Sequence, residues 1–313
     1  MSSGHIQQGD LMKIEAAVAV KIGAIKRPVI TAYQLGTIVF SLYQSGKYQG
    51  ENLSVKQGSP QRVNYKKLIE NLESSGVLSE SPQASHPEIF AILAQHVPTA
   101  EEFACCINPF CYVSHLSAME YHGFTDRLPK ILFLSAPEAV LWRQLATEKM
   151  KKDLGEFYPA YLETGFPRLR RLVVKKIAKK MVSIYTSKMY DSGAYITVQG
   201  KALRVSSIGR TFLDMIRQPA LCGGIYHVLD IYRQNAERYL RLIVNEADRH
   251  GTLIDKIRVG YVLDERLGLS HPALELWAAN AQRGGSRKLM AENPYAPSFS
   301  EKWGLSINIE ETE

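Results

Sequence analysis

Between Ser59 and Leu93 the charges are placed against the interest of the helix that carries them, and this constrains the fold more than any other feature of the chain. Ser59-Pro60 reads as a helix start, a side-chain cap followed by proline at the first helical position. Tyr65, Leu68, Ile69 and Leu72 recur at i, i+3, i+4 and i+7, and Gly76 supplies a stop. Arg62, Lys66 and Lys67 crowd the first half, while Glu70 and Glu73 occupy the second. The helix macrodipole favours the reverse order. A local choice that lowers an element's own stability directs attention to function. Val77-Leu78 and Glu88–Leu93 read as two short strands joined by the polar turn Ser79–Pro87. A helix with a basic first half followed by a two-stranded ribbon has the form of the recognition helix and wing of a winged helix-turn-helix. DNA readers of that type touch bases with the first residues of the second helix of the motif. The plainer alternative is an amphipathic helix with a solvated charged face.

The upstream sequence adds two helices. Leu11, Ile14, Val18, Ile22 and Ile25 fit one face of a first helix that ends near Arg27-Pro28. Thr31 caps a second, with Leu35, Ile38, Val39 and Leu42 on its buried face and Gly46 at its end. Three helices and a ribbon are the right content for a winged helix domain over residues 1–95. The segment Lys47–Gly58 is longer than the usual turn between the second and third helices. It is either a surface loop adding phosphate contacts through Lys47 and Lys56, or a plain insertion.

A chain of 313 residues has room for two or three domains and a sizeable core. No run approaches the ~18 apolar residues of a membrane span, and the N-terminus lacks a signal peptide's apolar core. Cys105, Cys106, Cys111 and Cys222 are too few and too poorly spaced for a disulfide framework, so the expected compartment is a reducing cytoplasm. No internal repeat or long low-complexity tract is present.

The distribution of charge matters more than its total of +7. Residues 166–217 carry 12 Lys and Arg against 2 Asp and Glu, which exceeds the net charge of the whole chain. Arg168, Arg170, Arg171, Lys175, Lys176, Lys179 and Lys180 have no acid between them. Leu169, Leu172, Val173, Val174, Ile177 and Ala178 interleave, so the run can bury one side and present the other. Such a block suits phosphate backbones, a toxin or RNA surface, or merely water beside an acidic neighbour.

After the ribbon the pattern changes to α+β. Thr99-Ala100-Glu101-Glu102 opens a helix, and Tyr112–Gly123 reads as another. Strands are expected at Lys130–Ser135, Val182–Thr186, Ala194–Val198 and Leu203–Ser206. Helical stripes follow: Ile208, Phe212, Met215 and Ile216, then Ile225, Val228, Leu229 and Tyr232, then Tyr239, Leu240, Ile243 and Val244. The expected fold class is α+β, an N-terminal winged helix-turn-helix followed over residues 96–313 by a larger mixed domain with a helical end.

Tyr112–Gly123 with its following LPKILFLSAP run, Ser206–Gly224 (SSIGRTFLDMIRQPALCGG), Val259–Leu267 (VGYVLDERL), Arg283–Leu289 (RGGSRKL), Trp303-Gly304-Leu305 and Asn308 occur in a fixed order. In that order and spacing the chain resembles the AbiEi family of antitoxins over residues 105–310. The resemblance implies a repressor of its own operon. It also implies an antitoxin that counters a co-encoded nucleotidyltransferase-like toxin in type IV phage-exclusion systems. The family keeps its DNA reader in an N-terminal winged helix, and this chain's N-terminal part departs most, being longer. Arg210, Asp214, Arg283, Arg287 and Lys288 are the family-motif positions of the C-terminal domain.

Catalytic motifs do not compete strongly. There is no P-loop, GxGxxG, GxSxG or HExxH. Cys105, Cys106, Cys111, His115 and His122 invite a zinc site, but adjacent cysteines do not easily share one ion, and no paired CxxC knuckle exists. Asp191, Gln199 and Lys201 faintly resemble a nuclease metal site with too few carboxylates, and Asp191-Ser192-Gly193 is good turn chemistry.

The expectation is therefore a cytoplasmic autorepressor and antitoxin, with no enzymatic activity, cofactor, metal or membrane partner. Gln61, Arg62, Asn64 and Lys66 are expected to read bases, with Tyr65 divided between core and phosphate. Lys67, Lys56 and His86 are expected to position the DNA backbone. The partners are operator DNA, with inverted repeats upstream of its own operon, and the toxin, countered with or without stable contact. The alternatives are a protein- or RNA-binding inhibitor that reads no DNA, or a nuclease-like enzyme.

Overall fold

Thr31 performs the local role its position suggests: Oγ1 accepts the Gln34 N–H at 3.3 Å, and its own N–H donates to Gln34 Oε1 at 2.9 Å. This capping box opens helix α2, and Gly46, at φ 62°, closes it in the left-handed region that glycine adopts without strain. The computed structural model describes residues 11–55, 58, 60–187, 190–191, 193–281 and 287–310. These form a mixed α+β protein that divides into two units with interleaved segments. The first comprises Met1–Cys111, Ala136–Tyr190 and Thr197–Arg204, and the second Tyr112–Ser135, Asp191–Ile196 and Val205–Glu313. A cut after residue 95 coincides with no edge of either unit.

In the first unit the chain runs α1 (Ile14–Gly23), β1 (Val29–Thr31), α2 (Ala32–Ser45), β2 (Lys47–Tyr48), β3 (Glu51–Asn52), α3 (Arg62–Ser74), β4 (Leu78–Glu80), β5 (Ile89–Ile92). Helix α1 stops at Gly23, short of the Arg27-Pro28 boundary expected. The β-branched Val29-Ile30-Thr31 then forms a strand that periodicity alone did not reveal. It lies antiparallel to β5, with Ile30 opposite Phe90, and the sheet order is β1-β5-β4. The first part of the expected loop, Lys47–Asn52, is a short hairpin. Lys47 pairs with Asn52 across a tight turn whose two central residues, Gln49 and Gly50, both have positive φ. Lys47 is exposed there, and Lys56 lies outside the described residues.

The core of this unit joins Val18, Ile22, Leu35, Val39, Leu42, Leu68, Leu72 and Leu78 to Met150, Leu154, Tyr161 and Phe166 from much later in the chain. Tyr161 meets Phe40 edge-on, with ring centroids 5.2 Å apart, and Tyr33 donates to Asp153 Oδ2 at 2.9 Å. The helix Ala139–Leu154, which supplies Met150 and Leu154, was not anticipated.

In the second unit Tyr112-Val113 is a strand, not the start of a helix. It pairs antiparallel with Ser135-Leu134, and Val113 lies parallel to Val205. The helix that follows is only His115–Tyr121. The two apolar stripes after Gly224 belong to one helix of 26 residues, Ile225–His250. Against it pack Ile208–Arg217 and Leu253–Tyr261, burying Phe212, Met215, Tyr232, Ile243, Val259 and Trp303. Among the described residues no helix is long and apolar enough to cross a membrane.

Two histidines of this unit, His115 buried and His122 half-buried, have pKa values lowered by burial. His115 is 1% exposed, and burial lowers its pKa, opposed by Asp214 and assisted by Arg210. His122 is lowered by burial while its Nε2 donates to the Ser206 carbonyl at 2.8 Å. A histidine with a depressed native pKa binds fewer protons folded than unfolded, so stability is full above about pH 6.5 and falls as the pH drops. The expected slope is up to about 1.4 kcal/mol per pH unit for each histidine. Denaturant midpoints between pH 7.5 and 5 check this, and a flat profile would contradict it.

Candidate nucleic-acid interface

Helix α3 begins two residues later than Pro60. Gln61 is its extended N-cap, and the Gln61 N–H donates to Asn64 Oδ1 at 3.0 Å, so the first turn is held by amide side-chain chemistry. Asn64 thus has a capping role, whatever else its exposed amide does. Tyr65, Leu68 and Leu72 turn inward. The Tyr65 hydroxyl donates to the Ala32 carbonyl at 2.8 Å, and its ring lies 4.9 Å from that of Phe166. Burial raises the pKa of that phenol, and its polar atom is spent inside the core, away from any phosphate.

Gln61, Arg62, Val63, Asn64, Lys66 and Lys67 are exposed. The three cations have no acid partner among the described residues. Arg62 lies on one flank, its Cβ close to Gly165. On the other flank Asn71 Nδ2 donates to Glu15 Oε1 at 3.0 Å. Val63, Lys66, Lys67 and Glu70 therefore occupy the outermost line of the helix. Val63, 64% exposed, was overlooked as a candidate, although the helical period of the buried residues places it opposite them.

Beside α3 the strands β4 and β5 form an antiparallel ribbon, with Leu78 opposite Ile92 and Glu80 opposite Phe90. His86 sits half-buried in the loop between them, and its Nδ1 accepts the Glu88 N–H at 3.1 Å.

The basic run is neither helical nor uniformly solvated. Leu172 and Ile177 are buried, whereas Arg168, Arg170, Lys175, Lys176, Lys179 and the apolar Val173 are exposed, with Arg171 half-buried. Lys176 pairs with Met181 and Ile177 with Lys180, making a hairpin whose turn holds Ala178 at φ 52°. Arg170 lies 3.4 Å from Glu88, and Lys180 2.8 Å from Glu101. Burial favours protonation of Glu101, but the Lys180 hydrogen bond and charge, with the hydrogen bonds from its own main chain and Thr99, together hold that carboxyl below its usual range. Arg168, Arg171, Lys175, Lys176 and Lys179 have no acid partner among the described residues.

Of the positions named for the family resemblance, Arg210 and Asp214 are buried in the second unit, and Arg287 and Lys288 are half-buried there. Arg210 Nε donates to Asp214 Oδ1 at 3.0 Å and its Nη1 reaches Glu246 Oε1 at 3.4 Å, all three side chains being buried or nearly so. Arg287 Nη1 donates to the Ala281 carbonyl at 3.0 Å, and Lys288 Nζ lies 5.5 Å from the centre of the Tyr295 ring. Arg283 lies outside the described residues.

The cysteines follow packing chemistry. Cys105 Sγ accepts the Arg204 N–H at 3.4 Å. A hydrogen bond with Cys111, then the nearby Arg204, brings the Cys105 thiol down to about 7, whereas burial pushes Cys106 up to about 12. No group of three metal-binding side chains exists among the described residues. Asp191 Oδ1 accepts the Gly193 N–H at 2.8 Å, as a turn aspartate does.

No family model and no curated protein matches the chain. Among solved structures, the crystal structure of the RV2827C protein from Mycobacterium tuberculosis is similar at 13% identity, covering 93% of this chain and 90% of that one, with a TM-score of 0.45.

Proposed function

We propose that α1–β1–α2–α3–β4–β5 is a winged helix that reads duplex DNA through the first half of α3, with the β4–β5 loop as its wing. The observation that carries this is the outer face of α3, where Arg62, Lys66 and Lys67 stand exposed and, among the described residues, without acid partners in the half of the helix its own dipole disfavours. Arginine offers a bidentate fork to guanine, and the exposed Val63 offers an apolar contact to a thymine methyl. Lys66 and Lys67 supply charge for bases or phosphates at the same depth. Tyr65 has no part in this reading.

The biological role is proposed from the family-like segments of the second unit. The chain is an autorepressor that binds inverted repeats upstream of its own operon, and an antitoxin of the AbiEi kind that counters a nucleotidyltransferase-like toxin. The buried positions of Arg210 and Asp214 fit a part in holding that unit together.

A gel shift on the DNA immediately upstream of the gene tests the reading. The full chain is expected to bind it in preference to unrelated duplex, and Arg62→Ala with Lys66→Ala to lose that binding while melting as wild type does. At about 1–3 kcal/mol for each base contact, the double variant should bind at least about 30-fold more weakly. Wild-type affinity in the double variant, or no preference by wild type, overturns the assignment.

A further inference from the structure

The basic run makes contact with the same ribbon that flanks α3. At the tip of the Lys176–Ser187 hairpin the Ala178 N–H donates to the Gln83 carbonyl in the β4–β5 loop at 2.8 Å. The Arg170–Glu88 pair ties the segment leading into the hairpin to the end of that same loop, and Arg62 at the start of α3 abuts Gly165, just ahead of the run. These three contacts join the exposed start of α3, the ribbon loop and the hairpin into one surface of the first unit. Two of the run's seven cations are neutralised by neighbours, Arg170 by Glu88 and Lys180 by Glu101. The other five are not, among the described residues.

The turn itself concentrates charge. Two residues, Ala178 and Lys179, reverse the chain, so Lys176, Lys179 and Lys180 crowd one end of a narrow ribbon. Repulsion between Lys176 and Lys179 opposes the turn, and so does the left-handed backbone of Ala178, a residue with a Cβ. An anionic surface relieves the repulsion. Lys175, Lys176 and Lys179 are flexible point charges without the forked geometry that reads bases, which suits them to phosphate.

Resting on the reading of α3 and its ribbon as a DNA reader, we propose that the Lys176–Ser187 hairpin and the irregular segment leading into it are a second wing. Stacked on the first, it grips duplex phosphates beyond the groove that α3 enters. It adds affinity and salt dependence but no sequence preference, and it lengthens the footprint of one protomer on one side.

The test uses the full chain with Lys175→Gln, Lys176→Gln and Lys179→Gln combined. Lys180 is left intact because its pair with Glu101 belongs to the fold. Binding is measured at several salt concentrations on the upstream duplex and on an unrelated duplex of equal length. Each lost phosphate contact flattens the slope of log affinity against log salt by about 0.9, so the triple variant should be shallower by roughly 2–3. Both duplexes should weaken alike, their ratio should hold, and hydroxyl-radical protection should shorten at one edge. Lys179→Gln alone, at an exposed turn, should flatten the slope by about 0.9 and serves if the triple variant melts early. An unchanged slope in variants of a wild type that does bind the upstream duplex overturns the second wing and leaves α3 standing. A changed ratio between duplexes overturns the phosphate assignment, and a loss confined to duplex RNA overturns the DNA one. Failure of wild type to bind either duplex overturns the underlying reading itself.

Discussion

Arg210→Met is expected to destabilise the second unit by about 3–5 kcal/mol, the cost of stranding charges that a buried pair has taken from water. Arg210 is 4% exposed and spans two carboxylates, Asp214 through Nε and Glu246 through Nη1. Asp214 Oδ2 already lacks a hydrogen-bond partner among the described residues, so nothing else there compensates the loss. Burial raises the Glu246 pKa, and Arg210 is the largest influence holding it down. Without the guanidinium that carboxyl rises further. A carboxyl with a raised native pKa binds more protons folded than unfolded, so the variant regains stability as the pH falls toward 5. The wild type, governed by His115 and His122, loses stability over the same interval. Denaturant unfolding of both proteins at pH 7.5 and 5 separates the trends. Arg210→Lys keeps the charge and loses the fork, and its cost should be smaller. A change below about 1 kcal/mol in Arg210→Met would mean that the network is hydrated and of little weight.

Gly260→Ala is expected to be nearly as damaging, by about 3 kcal/mol, for a steric reason. A Cβ at Gly260 would fall 2.1 Å from Cη2 of Trp303, whose ring is fully buried. The indole is not free to retreat, because its Nε1 donates to Asp264 Oδ2 at 3.0 Å and the main chain at Trp303 donates to Ser300 Oγ at 3.1 Å. Trp303→Leu alone also destabilises, by removing the packing that fills the recess. The two changes together should cost less than their sum by more than about 1 kcal/mol, since the smaller side chain makes room for the methyl. Simple additivity would show that the helix moves off Trp303 and that the contact is not tight. Gly260 and Trp303 belong to two of the segments on which the family resemblance rests, and they meet in the interior. This gives those segments a packing role independent of any partner.

Part of this molecule was legible without coordinates because it depends on neighbours within a few residues. Thr31 and Gln34 close a capping box three residues apart, Gly46 ends its helix by its own backbone freedom, and the spacing of Tyr65, Leu68 and Leu72 sets the buried side of α3. The ribbon after Gly76 followed from two short apolar runs joined by a polar turn, although its first strand, Leu78–Glu80, extends into the expected turn. One error was local, since Gln61 with Asn64, not Ser59-Pro60, starts α3, whereas Tyr112-Val113 is a strand for a tertiary reason, the presence of a distant partner strand to accept it. Ala139–Leu154 carried a usable signal, Trp142, Ala146, Met150 and Leu154 every fourth residue, hidden among charged neighbours.

What the sequence by itself determined was the helices α2 and α3, the ribbon that follows them, and the cations carried by α3 and by the run Arg168–Lys180. Only the tertiary structure decided which cations are neutralised. Arg170 and Lys180 find Glu88 and Glu101, while Lys175, Lys176 and Lys179 in the same run find no acid among the described residues. Only it decided that the Tyr65 hydroxyl is spent on the Ala32 carbonyl beside Phe166, and that Arg210 and Asp214 are an interior pair. The reason is range. Caps and periodicity are settled by backbone hydrogen bonds a few residues apart, whereas an ion pair or a ring contact between distant segments exists only once the chain has closed on itself.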